Sequence, residues 1–268
     1  TVMISGSLVL IVRNKKKIHW SPALIIAIFL LSSFTLNKIN WTKEISIIQA
    51  SIYQPNLTLE EKWSSEGVRK TMNMINNSIS DAKEGEFIFF PETAIIFDKG
   101  DLQTWISDIE KQAKSRNISL ISGIIAKDIQ NPGLIERYNR IEGFGAIKGH
   151  YDKIHLVPFG EYIPLRSYLG KILDILGINL INTLPGESYS LLKAHNIAIS
   201  ASICYEIAFS DLVRKTAKDS NLLVTISNDT WFGASIGPEQ HLEIAQSRAQ
   251  EHQKSLVRAT NSGISAII

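Results

Sequence analysis

Cysteine is almost missing from this sequence: Cys204 is the one thiol in 268 residues. A single cysteine excludes an internal disulfide framework and a multi-cysteine metal site, and it leaves either a buried inert thiol or a nucleophile. It fixes no redox compartment. A charge excess of either sign is also missing. Lys and Arg total 28 against 26 Asp and Glu, a formal net charge of +2. That balance argues against the basic surface of a nucleic-acid binder, so no nucleic-acid partner is expected. No repeat or low-complexity tract stands out. What remains is a globular composition, 44% hydrophobic and 20% charged with 16 Gly and 8 Pro. The length suits one large α/β domain or two small ones.

Charge is also absent from one stretch, Trp20–Leu36 (WSPALIIAIFLLSSFTL). Its length lies at the short end of the roughly 17–25 residues of a spanning helix. Trp20 and Trp41 flank it, where interfacial aromatics are expected. A first apolar run, Val2–Val12, precedes it, separated by a basic loop at 13–17 that holds Arg13 and Lys15–Lys17. A short basic loop between apolar runs reads as cytoplasmic. Residues 1–36 are therefore expected to be a transmembrane region with its span at about 20–36, and everything after about Asn37 is expected outside the cytoplasm. A signal anchor and a buried core helix are the alternatives. A cleaved signal peptide fits poorly behind an earlier apolar run. The chain starts inside an apolar stretch and stops at Ser265–Ile268 in mid-strand, so it reads as a fragment.

From Glu44 onward strand-like and helix-like segments alternate. Strands are expected at Ile45–Ile52, Glu86–Pro91, Ser119–Ala126, Ile197–Cys204, Leu222–Ser227 and Val257–Ile268. Helices are expected at Leu59–Ala82, opened by a Thr58/Glu61 capping box, and at Leu102–Arg116, Phe209–Lys218 and Pro238–Gln253. A hairpin over Tyr138–Ile154 would turn or bulge at Gly143, Gly145 and Gly149. Such alternation implies βαβ units and a covered, mixed sheet. The apolar segment Arg166–Leu184 fits a core helix plus loop or a lipid-facing flap equally well.

Three local signals carry chemistry. Glu92 follows the aromatic strand directly behind Pro91, at the carboxyl edge where open α/β sheets hold ligands. Lys153 is followed by a turn through Pro158 and Gly160 that presents Glu161. An ammonium there could stabilise an oxyanion and depress a thiol pKa. Cys204 ends a small-residue strand just before a helix, where backbone N–H groups favour a thiolate. Taken singly, the ordinary reading of each is stronger: an exposed carboxylate, a solvated lysine, a buried inert cysteine. The order carboxylate, lysine, cysteine, each at a strand end, is much more specific.

These residues resemble the nitrilase (carbon–nitrogen hydrolase) superfamily, and within it the membrane-anchored branch of apolipoprotein N-acyltransferases. The matching strings are Gln49–Pro55 with Lys62-Trp63, Pro91–Ala94, and Lys153 with Val157–Pro164. They continue with Ile203–Glu206, Ser227–Gly233, Pro238–His241 and Arg258–Gly263. The resemblance spans roughly Glu44 to Ile268 and departs from the family pattern mainly by truncation. It implies an α/β nitrilase-like four-layer αββα sandwich over 44–268, cut short at its C-terminal end and preceded by transmembrane segments.

It also implies roles. Cys204 would be the nucleophile, Glu92 the general base, and Lys153 the oxyanion-stabilising ammonium, helped by a backbone N–H near Tyr205. Glu161 would be a further carboxylate orienting Lys153. Tyr205 and Glu206 would flank the nucleophile, Glu206 with a structural role open to it. Trp63 would be an aromatic near the entrance for an acyl chain, or else a core residue of its helix. The implied reaction moves an acyl chain from a phospholipid to Cys204, and then to the α-amine of a diacylglyceryl-cysteine at an apolipoprotein N-terminus. No cofactor, metal or nucleotide is expected. The expected setting is the bacterial inner membrane, multi-pass, with the catalytic domain periplasmic. A soluble carbon–nitrogen hydrolase for small amides or nitriles, and an inactive lipid- or protein-binding module, are the rival readings.

Overall fold

Sequence parity sets the layering. In β2 (Phe87–Phe89), Phe87 and Phe89 join one apolar cluster, while Ile88 and the following Phe90 join another. Successive strand residues point to opposite faces, so a run apolar at every position is a strand covered on both sides. The computed structural model describes residues 2–13, 20–36, 38–39, 42–98, 100–131, 134–164 and 183–268. Two units separate, Thr1–Ile47 and Ile48–Ile268.

In the first unit, α1 covers Val2–Arg13 and α2 Trp20–Leu36. At about 1.5 Å per residue α2 extends about 25 Å, against a hydrocarbon core of about 30 Å. No helix among the described residues is long and apolar enough to cross a membrane. Leu24, Ile28, Leu30, Leu31 and Phe34 all stand exposed. The basic loop lies largely outside the described residues, as does Trp41.

In the second unit, one sheet has the order β1-β2-β3-β4-β6. Its other members are β1 (Ala50–Ile52), β3 (Ser119–Asn131), β4 (Leu134–Gly145) and β6 (His150–Asp152). The pairs β1/β2 and β2/β3 are parallel, and β3/β4 and β4/β6 antiparallel. The other sheet has the order β11-β10-β9-β8-β7-β5. It comprises β5 (Ile147–Lys148), β7 (Leu191–Ala194), β8 (Ile197–Ile203), β9 (Leu222–Ser227), β10 (Leu256–Thr260) and β11 (Ala266–Ile267). Its central pairs β8/β9 and β9/β10 are parallel.

Phe87, Phe89, Ile121 and Tyr151 of the first sheet meet Ile199, Ile203, Val224 and Ile226 of the second in one buried cluster. Outside the first sheet lie α4 (Ser65–Asp81) and α5 (Gln103–Ser115), through Ile75, Ile79, Ile106 and Ile109. Outside the second lie α6 (Ser210–Ala217) and α7 (Gly237–His252), through Val213, Ala217, Ala245 and Ala249. The result is the expected four-layer αββα sandwich.

Several expected elements differ in detail. The helix expected over Leu59–Ala82 is two, α3 (Leu59–Trp63) and α4, because Ser64 is extended and its hydroxyl accepts from Gly67 N–H at 3.0 Å. The Thr58/Glu61 capping box forms, with Glu61 N–H donating to Thr58 Oγ1 at 3.2 Å and Thr58 N–H to Glu61 Oε2 at 2.8 Å. The strand expected at Ile45–Ile52 is regular only over Ala50–Ile52. The hairpin expected over Tyr138–Ile154 splits: β4 pairs back on β3, β5 crosses to the second sheet and β6 returns to β4. The final strand folds back on itself as β10 and β11. Gly263, at φ +88°, makes that reversal, and a Cβ there would lie 2.7 Å from Asp229 Oδ2, so only glycine fits. Nearly all of the apolar segment Arg166–Leu184 lies outside the described residues.

Candidate active site

Strand ends converge. Glu92 lies just past β2, Lys153 directly follows β6, and Cys204 directly follows β8. Asn228 directly follows β9, the neighbour of β8. Its N–H donates to Glu92 Oε2 at 2.9 Å, which carries Glu92 across from the first sheet to the second. The ammonium of Lys153 lies 3.5 Å from Glu92 Oε1 and 2.9 Å from Glu161 Oε2. Asn139, on β4, donates from Nδ2 to Glu92 Oε1 at 2.7 Å and to Glu161 Oε1 at 2.9 Å. Glu161 Oε2 also accepts from Val157 N–H at 2.9 Å. The backbone N–H of Lys153 donates to Asn139 C=O at 2.8 Å. One buried lysine thus sits between two carboxylates that a shared amide holds in place.

Lys153 is 1% exposed and Glu92 7%. Burial alone would lower the Lys153 pKa, but Glu92 and the other facing anions hold it above the ordinary lysine value, so the ammonium stays charged. Burial and then the charge of Glu92 push the Cys204 thiol up to about 12, against the pull of Lys153. At neutral pH the thiol keeps its proton, and attack by sulfur requires a base to take it. Cys204 itself adopts φ +52°. For a residue with a Cβ this left-handed backbone costs on the order of 1–3 kcal/mol, and such strain gathers at functional sites.

Glu206 is fully buried and ties the two sides together. Its Oε1 accepts from Tyr151 OH at 2.9 Å, Ile154 N–H at 2.7 Å and His155 N–H at 3.0 Å, and its Oε2 accepts from Ile203 N–H at 2.8 Å. Burial raises its pKa, with the donors acting against that rise. These contacts clamp the Lys153 turn to the end of the Cys204 strand, which is the structural role. Tyr205 is half exposed and packs edge-on against Phe209 with ring centroids 4.9 Å apart. Trp63 is also half exposed at the end of α3, so the core alternative for it fails.

Lys62, beside Trp63, is buried, and its ammonium donates to Glu92 C=O at 2.8 Å and to Thr93 Oγ1. Burial lowers its pKa to about 8. Asn228 Oδ1 accepts from Asn261 Nδ2 at 3.0 Å, and that amide also donates to Leu57 C=O at 2.7 Å. Asn139, Lys62 and Asn228 drew no role from the sequence. Asn139 lies mid-strand among residues of no special pattern, and only cross-strand register brings it to the site. Among the described residues no group of three or more His, Cys, Asp or Glu is placed to hold a metal ion.

Residues 45–268 match the family model for carbon–nitrogen hydrolases. Over its whole length the chain is 32% identical to an apolipoprotein N-acyltransferase of Photobacterium profundum and 36% identical to one of Wigglesworthia glossinidia brevipalpis, covering 53% and 54% of those proteins. The chain thus spans about half the length of the curated relatives it matches. Among solved structures, Saccharomyces cerevisiae Nit3, of branch 10 of the nitrilase superfamily, superposes with TM-score 0.57 at 16% identity over 82% of each chain. A carbon–nitrogen hydrolase from Helicobacter pylori gives TM-score 0.56 at 15% identity, over 81% of this chain and 74% of that one. At that identity the likeness speaks for the fold. With a buried Glu–Lys pair at the strand ends, a thiol on a left-handed turn and a family match across the whole second unit, the chain belongs to the carbon–nitrogen hydrolase family.

Proposed function

We propose that this chain is the catalytic part of an apolipoprotein N-acyltransferase. The observation that carries the reading is the buried Lys153 ammonium between Glu92 and Glu161, beside a strained thiol, in a chain whose relatives at 32–36% identity bear that name. In the first half-reaction Cys204 Sγ adds to the ester carbonyl of a phospholipid while its proton passes to Glu92. The carbonyl oxygen becomes an oxyanion facing the Lys153 ammonium and the Tyr205 N–H. The C–O bond then breaks, and the departing lysophospholipid oxygen takes the proton from Glu92. In the second, the α-amine of a diacylglyceryl-cysteine adds to the thioester and gives its proton to Glu92. The C–S bond breaks and the thiolate recovers that proton.

Two features support lipid substrates. Three segments of the site carry an exposed aromatic: Trp63 after Lys62, Tyr205 after Cys204, and Trp231 three residues past Asn228. Such residues suit acyl chains or an interface between lipid and water. The exposed apolar side chains of α2 also suit a nonpolar surrounding better than water. The proposed setting is the bacterial inner membrane, with residues 1–36 as part of its membrane region and residues 44–268 as the catalytic domain on the periplasmic side.

The test is intact-mass analysis of the full-length protein in phospholipid vesicles, then with a diacylglyceryl-cysteine peptide. An acyl adduct on Cys204 that passes to the peptide supports the reading. Turnover of small amides or nitriles with no phospholipid adduct replaces it with the hydrolase.

A further inference from the structure

The 3-10 helix Cys204–Ala208 opens on a peptide unit whose carbonyl is held from outside the helix. Its carbonyl, that of Cys204, meets His241 Nε2 at 3.0 Å. Its N–H belongs to Tyr205, in the opening turn, where no helical carbonyl is available to it. The other ring nitrogen of His241, Nδ1, lies 3.1 Å from Asp229 Oδ1. Asp229 is itself immobilised: Oδ1 accepts from Ser227 Oγ at 2.6 Å, and Oδ2 accepts from Arg258 Nη2 at 2.5 Å. Arg258 is fully buried, and its Nε donates to Ile264 C=O at 3.1 Å. The ring of Phe232 stands edge-on to His241 with centroids 5.9 Å apart. An unbroken polar chain therefore runs from β10 through Asp229 and His241 to the backbone of the nucleophile.

From this we infer that His241, set by Asp229 and Arg258, is a positioning residue that aims the Cys204–Tyr205 peptide so that the Tyr205 N–H faces the oxyanion. In a trans peptide the C=O and N–H point in opposite directions from one rigid plane. Holding the carbonyl on one side therefore fixes the direction of the donor on the other. Cys204 needs such a hold, because its φ of +52° is one its own side chain disfavours. Asp229 Oδ1 and Cys204 C=O are both acceptors, so the ring donates at both ends when each of its nitrogens carries a proton, and donation into the carbonyl then polarises the amide and strengthens its N–H as a donor. The inference rests on Cys204 being the acylated nucleophile. It concerns how the oxyanion site is built rather than which acyl donor is used.

Two substitutions separate the two ends of His241. The amide nitrogen of Gln falls near the Nε2 position and that of Asn near Nδ1. His241→Gln therefore keeps a donor for Cys204 C=O, and His241→Asn keeps only the Asp229 contact. The full-length protein in phospholipid vesicles is assayed for Cys204 acylation, by intact mass, with p-nitrophenyl butyrate and with phospholipid in parallel. Alkylation of Cys204 by iodoacetamide, which forms no oxyanion, is the control, and thermal unfolding monitors the fold.

His241→Asn is expected to slow acylation on the order of 10²-fold, the lower end of what loss of an oxyanion donor produces. Its alkylation should stay within about twofold of wild type, and His241→Gln should restore acylation to within about tenfold of it. Wild-type acylation in His241→Asn overturns the inference. So does a loss of acylation and alkylation together with thermal stability in both variants, which marks His241 as merely structural. Acylation of the wild type by the ester but not by phospholipid overturns the lipid reading alone, and the relay is then judged on the ester. No adduct from either donor overturns both.

Discussion

Lys62→Met removes a buried ammonium whose pKa is lowered to about 8 from an ordinary value of 10.5. The folded value is the lower one. Below about pH 8 both states are protonated, and the native state carries the whole penalty of a desolvated charge. Between about 8 and 10.5 the unfolded chain holds a proton that the native state has released, so stability rises with pH across that window. The difference of about 2.5 units, at about 1.36 kcal/mol each, amounts to roughly 3 kcal/mol. Lys62 is only 6% exposed, so solvent screening takes little from this figure. For a domain of this size each kcal/mol moves Tm by about 2–4 °C. On going from pH 8 to 10.5, wild type should therefore gain roughly 6–12 °C relative to Lys62→Met. The assay is thermal unfolding of both full-length proteins in the same detergent at half-unit steps of pH. The difference between the curves cancels every other titrating group. Parallel curves across the window would refute the desolvated-ammonium account. Because Lys62 also holds Glu92 C=O, the variant should lose activity at all pH values even where it gains stability.

Four further outcomes follow from the same geometry. Cys204→Ser should abolish the acyl adduct while leaving Tm within about 2 °C, since the two side chains are nearly isosteric and the hydroxyl is much the weaker nucleophile; turnover in the purified variant would remove Cys204 from the mechanism. Lys153→Arg should lose on the order of 10²–10³ in rate, nearly as much as Lys153→Ala, because a planar fork cannot occupy the compact site between Glu92 and Glu161; near-normal kcat would show that any cation serves. Glu206→Gln must turn its NH₂ toward at least one of the four donors it now satisfies, a loss of about 2–4 kcal/mol or roughly 5–15 °C in Tm, read by thermal melts; an unchanged Tm would mean the clamp carries no stability. A membrane-impermeant maleimide should label Cys204 in intact spheroplasts and leave it protected in sealed inside-out vesicles, and the reverse pattern would place the site in the cytoplasm and favour a cytosolic hydrolase.

Singly, Glu92 after Pro91, Lys153 before its Pro–Gly turn and Cys204 at a strand end are weak signals, but as an ordered set the trio is legible. So is the Thr58/Glu61 box, whose two reciprocal hydrogen bonds depend on a spacing of three. Gly145 and Gly149, expected at turns, take φ +80° and +106°, while Gly143 does not take positive φ. Less legible were the break at Ser64 and the reversal at Gly263. Propensity carries a helical pattern through Ser64. Ser64 instead caps a new helix through Gly67 N–H, and the break brings Gly67 so close to Glu61 C=O that a Cβ would stand at 1.9 Å from it.

What the sequence determined by itself is therefore whatever depends on short spacing: apolar parity in the strands, caps and turns, and which titratable residues stand at strand ends. Tertiary structure alone decided the partners. Asn139 bridges Glu92 and Glu161, residues 47 before and 22 after it, only because β4 lies next to β3 and β6. Glu206 clamps a turn more than 50 residues away, and His241 reaches a carbonyl 37 residues back. The physical reason is that a hydrogen bond across the chain depends on register and direction within about 3 Å. Sequence patterning specifies which face of an element is buried, but not which distant atom it will meet there.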